Sequence, residues 1–374
     1  MLSQQAIWTV ASLAAVDLLF RGAVALYYSD HDRVLRILKL EERQGSLEQY
    51  YKKYDAWLAP LPFVWTWVEV VALVIAAKSL GHVWGWLIAI VLIGGRFRAL
   101  QEFGHNAVHF ALCRSHRWQW LLSNMFYQFP MFKRDMHSRQ ITHTKEHHRH
   151  PNHEMLDPNR ARVRAGGMVA PLTSAQFFIR LLYPLTLRGM ANNVQMMTQA
   201  TLMNRSRGIA LLRVACLLLV SALFYAIGGW QAIVLGWWVP LLSSYPLFVW
   251  LALLGEHRWF VEGRPSGSRI DLECWAGRPT DYNGISGWLV RILVSPTSDA
   301  YHLAHSLYPG VRWNHLPAID RVLKVSDARY TAHASQGLIF ARSHAPSALS
   351  ELRERLCPDA AKLGKHHGAT ISES

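Results

Sequence analysis

Residues 82–109 read HVWGWLIAIVLIGGRFRALQEFGHNAVH, an apolar run that leads directly into a pair of histidines. A helix needs ~20 predominantly apolar residues to cross a bilayer. The run 82–95 is short of that length by itself. It becomes long enough if the helix continues through Arg96 and Arg98, whose long side chains can reach the membrane interface. The stretch therefore predicts a membrane-spanning helix with two histidines at one end.

Three further segments are long and apolar enough to span a bilayer, namely residues 57–77, 208–228 and 232–254. Together with the first segment they form two hairpins, whose short links contain neither Lys nor Arg. Nearly all basic residues lie outside the hairpins, so the positive-inside rule places those outer parts in the cytoplasm. Glu69 interrupts the first of these segments; because an ionisable residue in lipid is costly, it is either functional or paired with another buried polar group.

The composition agrees with a membrane domain that carries a large aqueous part. The chain has 374 residues, of which 51% are hydrophobic, and a formal net charge of +14. Its mean hydropathy of +0.08 is too low for a protein made wholly of membrane spans. The positive charge suits either nucleic-acid binding or a basic membrane protein held against anionic lipid, and the apolar runs favour the membrane protein, with no nucleic-acid partner.

We therefore predict an all-α fold, in which four transmembrane helices form two hairpins and a cytoplasmic helical cap holds the histidines. The predicted domains are residues 1–54, an N-terminal interfacial helix with a cytoplasmic lead-in, residues 55–325, the membrane domain, and residues 326–374, a C-terminal cytoplasmic region with a disordered tail. Asp17 and Arg21 interrupt the apolar N-terminal helix four residues apart, a spacing that allows them to pair.

Cysteine does not account for the chemistry of this chain. The four cysteines are scattered and contain no CxxC pair. This pattern predicts neither a disulfide framework nor a zinc ribbon, and it offers no ligand set for an iron–sulfur cluster.

The histidines, in contrast, collect near the ends of the apolar helices. They comprise His105 and His109 in HNAVH, His143, His147 and His148 in HTKEHH, His302 and His305 in YHLAHSLYPG, and His257 at the end of the last span. In the first two motifs an i,i+4 spacing places two rings on one helical face, as a shared metal requires. The alternative for the second motif is a basic, solvated helix that is rich in histidine.

Eight imidazoles are too many for one zinc ion, which takes four ligands, and they suit a two-metal site. Neutral imidazole also suits iron, and an all-nitrogen set with open positions is compatible with oxygen chemistry. Two carboxylates are candidates to orient ligating rings from behind: Glu256, which precedes His257, and Asp157 in LDPN.

These motifs resemble those of the membrane fatty acid desaturase and hydroxylase superfamily, in its bacterial type. HNAVH is similar to the first histidine box of that family and HTKEHH to the second box in its longer-spaced form. YHLAHSLYPGVRWNHLP is similar to the closing motif HxxHHLYPxVPxxxLP, and EH at 256–257 to the extra family histidine. The resemblance extends over roughly residues 55–325.

The resemblance implies a non-haem diiron centre that uses O2 as a cosubstrate and removes hydrogen from an unactivated C–H bond of a fatty-acyl or lipid-like chain. It implies no catalytic residues beyond the metal ligands, which are His105, His109, His143, His147, His148, His257, His302 and His305. The leading interpretation is a fatty acid desaturase that introduces a C=C bond. A hydroxylase or a decarboxylase that forms terminal alkenes is the alternative within the superfamily, and a catalytically silent membrane binding or scaffold protein is the alternative outside it.

The resemblance also sets expectations for partners and location. Electrons are expected from a separate ferredoxin or cytochrome with its reductase. The expected location is the bacterial inner membrane, with the active site facing the cytoplasm.

The sequence departs from the family at Ser306, which takes the position of the last histidine of the closing motif. Serine is a poor iron ligand, so Ser306 is assigned to the surroundings of the metal. A water or His315 could fill the missing position, or one iron could be bound weakly or not at all. Arg312 also stands where a proline is common, which predicts a reshaped loop.

Overall fold

The computed structural model describes residues 4–39, 48–340 and 345–358. The chain is predominantly helical in these ranges and contains almost no sheet, which confirms the predicted all-α class. Two strands of two residues each, β1 (Thr280–Asp281) and β2 (Ser335–Gln336), pair in parallel. The predicted disordered tail beyond Pro358, with His366 and His367, lies outside the described residues.

The helices follow one another along the chain with short connections. The first five are α1 (Gln4–Tyr27), α2 (His31–Leu38), α3 (Asp55–Leu58), α4 (Pro60–Leu80) and α5 (Val83–Val108). The next five are α6 (His116–Ser123), α7 (Met136–Gln140), α8 (Pro158–Ala165), α9 (Ser174–Leu181) and α10 (Leu187–Leu202). They are followed by α11 (Arg207–Gln231), α12 (Val239–Leu242), α13 (Ser244–Glu256), α14 (Arg269–Ala276) and α15 (Gly284–Leu293). The last are α16 (His302–Leu307), α17 (Leu316–Ser326), α18 (Ala328–Thr331) and α19 (Ala348–Leu356).

Short segments of other helical types join these elements. The π-helical segments are Asn124–Gln128, Ile141–His147 and Ala232–Trp238. The 3₁₀ turns are Tyr183–Leu185, Ser298–Tyr301 and Trp313–His315.

Three helical stretches of the described chain are long and apolar enough to cross a membrane, namely Asp55–Leu80, Val83–Val108 and Arg207–Glu256. The first two correspond to the first predicted hairpin, because α4 packs along α5. Their link contains Gly81 at φ 62°, a left-handed conformation that glycine adopts without steric cost.

The third stretch reverses direction at Gly229. The backbone angles there, φ 64° and ψ −154°, are not helical. The rings of Phe224 and Trp237 stack with centroids 6.0 Å apart. In a straight α-helix, residues separated by 13 positions would lie about 20 Å apart along the axis. The stretch therefore folds back on itself as two packed arms, as the short link after Gly228 had predicted.

Helix α11 presents an apolar face to its surroundings. Leu211, Leu218 and Leu219 are 71%, 65% and 66% exposed, respectively. An exposed apolar face of this length is typical of a helix that contacts lipid.

The charged residues within the apolar helices are paired. The carboxylate of Glu69 accepts hydrogen bonds from Arg21 at 2.6 Å and from Arg96 at 3.0 Å. Arg21 also bonds Asp17 at 2.8 Å, which confirms the pairing expected from their spacing. Of the two interpretations of Glu69, the structure supports pairing, with the largely buried Arg96 and the more exposed Arg21 as partners.

Arg98 does not reach the membrane interface, and that prediction is wrong. Its side chain is 1% exposed, and Nη2 donates to Glu102 at 3.0 Å and to Asp299 at 2.7 Å. Nε donates to the carbonyl oxygen of Val294 at 2.8 Å. Because a buried cation is tolerated only with such partners, Arg98 fixes α5 against the chain that leads into α16.

Glu351 attaches the C-terminal helix α19 to the end of the last apolar stretch. Its carboxylate accepts hydrogen bonds from Arg258 at 2.9 Å, from Arg355 at 2.5 Å and from Arg278. Arg278 in turn donates to the carbonyl oxygen of His257 at 2.8 Å. The position of His257 thus depends on an ion-pair network that includes the C-terminal helix.

We expect Glu351→Gln to reduce the free energy of unfolding by about 3 kcal/mol, because it leaves largely buried guanidinium groups without their counter-charge. Burial raises the pKa of Glu351, but the charges of Arg278 and Arg355 outweigh it and lower the pKa to about 2. The stabilisation is therefore present above the unfolded pKa of ~4.3 and is lost as the pH falls towards 2.

Thermal unfolding of the purified protein between pH 7 and pH 3 measures this effect. The control is Glu354→Gln, which changes an exposed carboxylate on the same helix. Equal unfolding temperatures for the two variants at pH 7 would contradict the role given to Glu351.

Candidate metal centre

The first histidine pair lies at the end of α5. The helix continues without a break from its apolar part to Val108, so that His105 lies on the last turn and His109 at the C-terminal cap. Their ring centroids are 5.1 Å apart, as i,i+4 spacing on one helical face predicts.

The second histidine motif lies on a π-helical segment rather than an α-helix. Asp135 caps α7, which runs directly into Ile141–His147. A π-helical turn is wider than an α-helical turn, so it changes which side chains share a face. The structure directs His143 and His148 to one cluster and His147 to another. The prediction that His143 and His147 face one shared metal is thereby corrected.

The remaining candidates come from two further segments. His302 and His305 lie on α16, directly after the 3₁₀ turn Ser298–Tyr301. His257 caps α13 in an extended conformation and forms an isolated antiparallel bridge with Gly277.

All eight predicted ligands come together, in two unequal groups. The five-histidine group contains His105, His109, His143, His148 and His305. The three-histidine group contains His147, His257 and His302. Within each group the candidate ligand atoms all lie within 4.8 Å of one another.

The ring nitrogens in each group point towards one another. In the five-histidine group, the Nε2 atom of His143 lies 2.5 Å from that of His105 and 3.0 Å from that of His148. In the three-histidine group, the Nε2 atom of His257 lies 3.1 Å from that of His147 and 3.0 Å from that of His302. Nitrogens that converge at these distances form donor sets directed at two common points.

The donor set fits metal ions. Both ring nitrogens of His305 and Nε2 of His109 are buried and have no hydrogen-bond partner in the described part of the chain. Buried polar atoms are nearly always satisfied, so these nitrogens indicate a ligand that the protein does not itself supply. Burial, followed by the neighbouring imidazoles, lowers the pKa of His143 and His148 well below the usual value, and neutral imidazole is the form that binds metals.

Asp157 contacts the ring of one candidate ligand, His147, from behind. Its Oδ1 lies 2.9 Å from Nδ1 of His147. The same carboxylate accepts backbone hydrogen bonds from Asn152 at 2.7 Å and Asn159 at 2.9 Å, so it is itself held in place. Burial lowers the pKa of His147, but Asp157 outweighs it and the net pKa is raised. A carboxylate that fixes the far nitrogen of an imidazole is typical of metal-binding histidine.

Two further carboxylates face the Nδ1 atoms of ligand rings at longer distances, and sequence reasoning missed both. Oδ1 of Asp299 lies 3.6 Å from Nδ1 of His105. Oε1 of Glu273 lies 3.7 Å from Nδ1 of His148. Asp299 stands only three residues before His302, a signal that was available in the sequence. Glu273 lies far from every histidine motif along the chain, and only tertiary packing brings it to the site.

Glu256 lies near His302 of the three-histidine group. The carboxylate of Glu256 forms a cluster with Asp299 and His302, in which the candidate ligand atoms lie within 4.8 Å of one another. Nδ1 of His257 has no hydrogen-bond partner among the described residues, so Glu256 does not orient that ring. Glu256 also lines the cavity beside the histidine groups.

The structure does not bring His315 to either histidine group. Its Nδ1 lies 3.3 Å from Nδ1 of His31, and its ring packs edge-on against Tyr28 and Tyr50. Ser306 is 1% exposed, and its hydroxyl has no hydrogen-bond partner in the described ranges.

Comparison with known proteins agrees with this geometry. The sequence model of the family described as fatty acid desaturase matches residues 81–336. That match includes all eight histidines of the two groups. The chain is also 25% identical over 303 residues to a dihydrorhizobitoxine desaturase of Bradyrhizobium elkanii, an alignment that covers 75% of this chain and 82% of the relative.

We expect Asp157→Asn to weaken metal binding at the three-histidine group by about 10- to 100-fold, because the ring of His147 loses its charged partner. Iron content per chain, measured by mass spectrometry after equilibration with a series of chelators, gives the affinity. The control is Asp327→Asn, which changes another buried carboxylate that caps a helix, at α18 and outside both groups. Equal loss of iron from both variants would show that the effect comes from the loss of a helix cap. It would contradict the role given to Asp157.

Proposed function

Because the chain belongs to the fatty acid desaturase family, we propose that it is an O2-dependent diiron oxidoreductase that introduces a C=C bond into its substrate. The observation that supports this function most directly is the convergence of eight histidines, from four separate segments, into two adjacent groups. A family match over residues 81–336 and a relative named as a desaturase support the same reaction class.

The five-histidine group would hold one iron ion and the three-histidine group the other. When bound, the two ions supply the reduction of O2 to two water molecules, coupled to the removal of two hydrogen atoms from adjacent substrate carbons and to the uptake of two electrons and two protons. Three imidazoles leave coordination positions for water or a carboxylate, which is compatible with Ser306 in place of the family's last histidine.

The protein's own residues position this centre. Asp157 holds the ring of His147, and Asp299 and Glu273 lie behind two rings of the five-histidine group. Glu102 accepts hydrogen bonds from the backbone of Thr297 at 2.7 Å and of Asp299 at 3.2 Å, which holds the turn before α16 against α5. These contacts hold the first histidine motif, on α5, and the third, on α16, in a fixed relative position.

The membrane arrangement that we propose has four spans. The reversal at Gly229 divides the third apolar stretch into two arms, so that α4, α5 and these arms form two hairpins. Both histidine-bearing ends then lie on the side that carries most of the basic residues, which the positive-inside rule assigns to the cytoplasm. We place the protein in a bacterial inner membrane, with electrons supplied by a ferredoxin or cytochrome and its reductase.

The two comparisons suggest different substrates. The family name suggests a fatty-acyl chain, the class expected from the sequence motifs. The relative is named for action on dihydrorhizobitoxine. The residues that line the cavity beside the metal centre are therefore the evidence that distinguishes a hydrocarbon chain from another class of substrate.

We expect His147→Ala to abolish product formation, because it removes one of only three candidate ligand rings in the three-histidine group. Mass spectrometry of lipids and small molecules from cells that express each variant identifies the product by the loss of two hydrogens. Gain of one oxygen would instead indicate hydroxylation, and loss of the carboxyl carbon would indicate decarboxylation.

The control is His150→Ala, which changes a histidine of the same motif region that belongs to neither group. It should leave the product unchanged. If His147→Ala also leaves every product unchanged, the enzyme function is contradicted and a silent scaffold protein is favoured.

A further inference from the structure

A cavity of ≈ 390 Å³ lies beside the two histidine groups, and His105, His143 and His147 form part of its wall. This volume lies near the lower end of the ~300–1,000 Å³ that small-molecule sites enclose. A substrate bound here would lie directly against the metal centre.

The wall of the cavity carries many polar side chains, although more than half of its lining surface is apolar. Of its 23 lining residues, 17 carry a polar or ionisable side chain. Only Phe132, Pro158, Met196, Ala200, Val249 and Leu253 are apolar. A hydrocarbon chain in this space would leave polar groups desolvated without partners, at a cost of about 1–3 kcal/mol for each.

Four cations line the cavity: Arg134, which is exposed, and Lys133, Arg139 and Arg162, which are partly buried. None of them lies within ion-pair distance of a carboxylate in the described part of the chain, although Glu102, Glu256 and Asp299 also line the cavity. Lys133 lies over the ring of Tyr245 at 5.4 Å, and Arg139 lies over that of Tyr127 at 5.4 Å. Nη1 of Arg139 is buried and has no hydrogen-bond partner.

Partly buried cations of this kind are costly unless they are paired. Burial lowers the pKa of Lys133 to about 7, as expected for an ammonium group that lacks a counter-charge. Arg98, by comparison, is buried with two carboxylates. Lys133, Arg139 and Arg162 therefore lack the compensation that Arg98 has, and an anionic ligand would supply it.

The cavity also contains hydrogen-bond acceptors without donors. Oε1 of Gln101 and Oε1 of Gln128 are buried and have no partner among the described residues. Gln128 is 0% exposed, so water outside the cavity cannot satisfy it. A ligand with a hydroxyl or ammonium group as well as an anionic one would satisfy both these oxygens and the cations.

We propose that the substrate is a small polar molecule with a carboxylate, bound by Lys133, Arg139 and Arg162, and with a hydroxyl or ammonium group that donates to the cavity glutamines. This substrate class rests on the proposed function for the reaction at the metal centre. It differs from a long acyl chain, whose hydrocarbon part would leave these cations and glutamines without partners.

Ligand binding to the full-length protein in lipid nanodiscs tests this substrate class without turnover. The probes are 6-hydroxyhexanoate, hexanoate and hexan-1-ol, with coenzyme A and palmitoyl-coenzyme A as the carrier-bound alternatives. A ligand that binds the folded protein raises its unfolding temperature according to its affinity. We expect stabilisation in the order 6-hydroxyhexanoate, hexanoate, hexan-1-ol.

Arg162→Gln should weaken the binding of 6-hydroxyhexanoate about tenfold or more, because a charge-assisted hydrogen bond is lost. Arg164→Gln is the matched control, since Arg164 lies on the same helix but pairs with Glu154 at the surface. Gln128→Leu should remove the advantage of 6-hydroxyhexanoate over hexanoate and leave hexanoate binding unchanged. The unfolding temperature without ligand shows whether each variant is folded.

Two results would overturn this substrate class. One is binding of 6-hydroxyhexanoate that is no stronger than that of hexan-1-ol, or equal in the Arg162→Gln and Arg164→Gln variants. The other is binding of palmitoyl-coenzyme A or coenzyme A that exceeds that of the small probes and does not depend on Arg162. Neither result affects the iron content or the effect of His147→Ala, so failure here is distinguishable from failure of the diiron function.

Discussion

The buried guanidinium group of Arg98 is the constraint on which the site depends. It bonds Glu102 on its own helix and Asp299 in the turn before α16, with all three side chains nearly inaccessible to solvent. Removing one partner of such a network typically costs 3–5 kcal/mol, roughly, because a charge is left uncompensated. Since α5 carries the first histidine pair and α16 the third, this network fixes the distance between them.

The same carboxylates stabilise the fold and lie against the histidine rings of the site. Asp299 bonds Arg98 through one oxygen, and its other oxygen faces Nδ1 of His105. Asp157 similarly caps α8 and lies against His147. Rings that are fixed from behind in this way lose little freedom when they bind a metal, so the fold supplies much of the organisation that a dimetal site requires.

The sequence predicted the features that local spacing determines. The eight histidines were recognisable because short motifs carry them, and the pairing of Asp17 with Arg21 followed from their i,i+4 spacing. The division of the histidines into five and three was not predictable, because it depends on the π-helical turn through His143 and His147.

The environment of Arg98 inside an apolar helix also escaped sequence reasoning. The interfacial position predicted for Arg98 assumed lipid as its neighbour, whereas the structure supplies Glu102 and Asp299. The role of Glu273 and the cations that face the cavity depend on contacts between distant segments, which no local pattern records.

The central claim is that the eight histidines form two metal sites of unequal coordination. Mössbauer spectroscopy of protein grown with ⁵⁷Fe, combined with iron analysis, tests it most directly. The account predicts two iron ions per chain and two distinct signals of equal area, one for each histidine group. A single iron per chain, or two irons with indistinguishable signals, would contradict it.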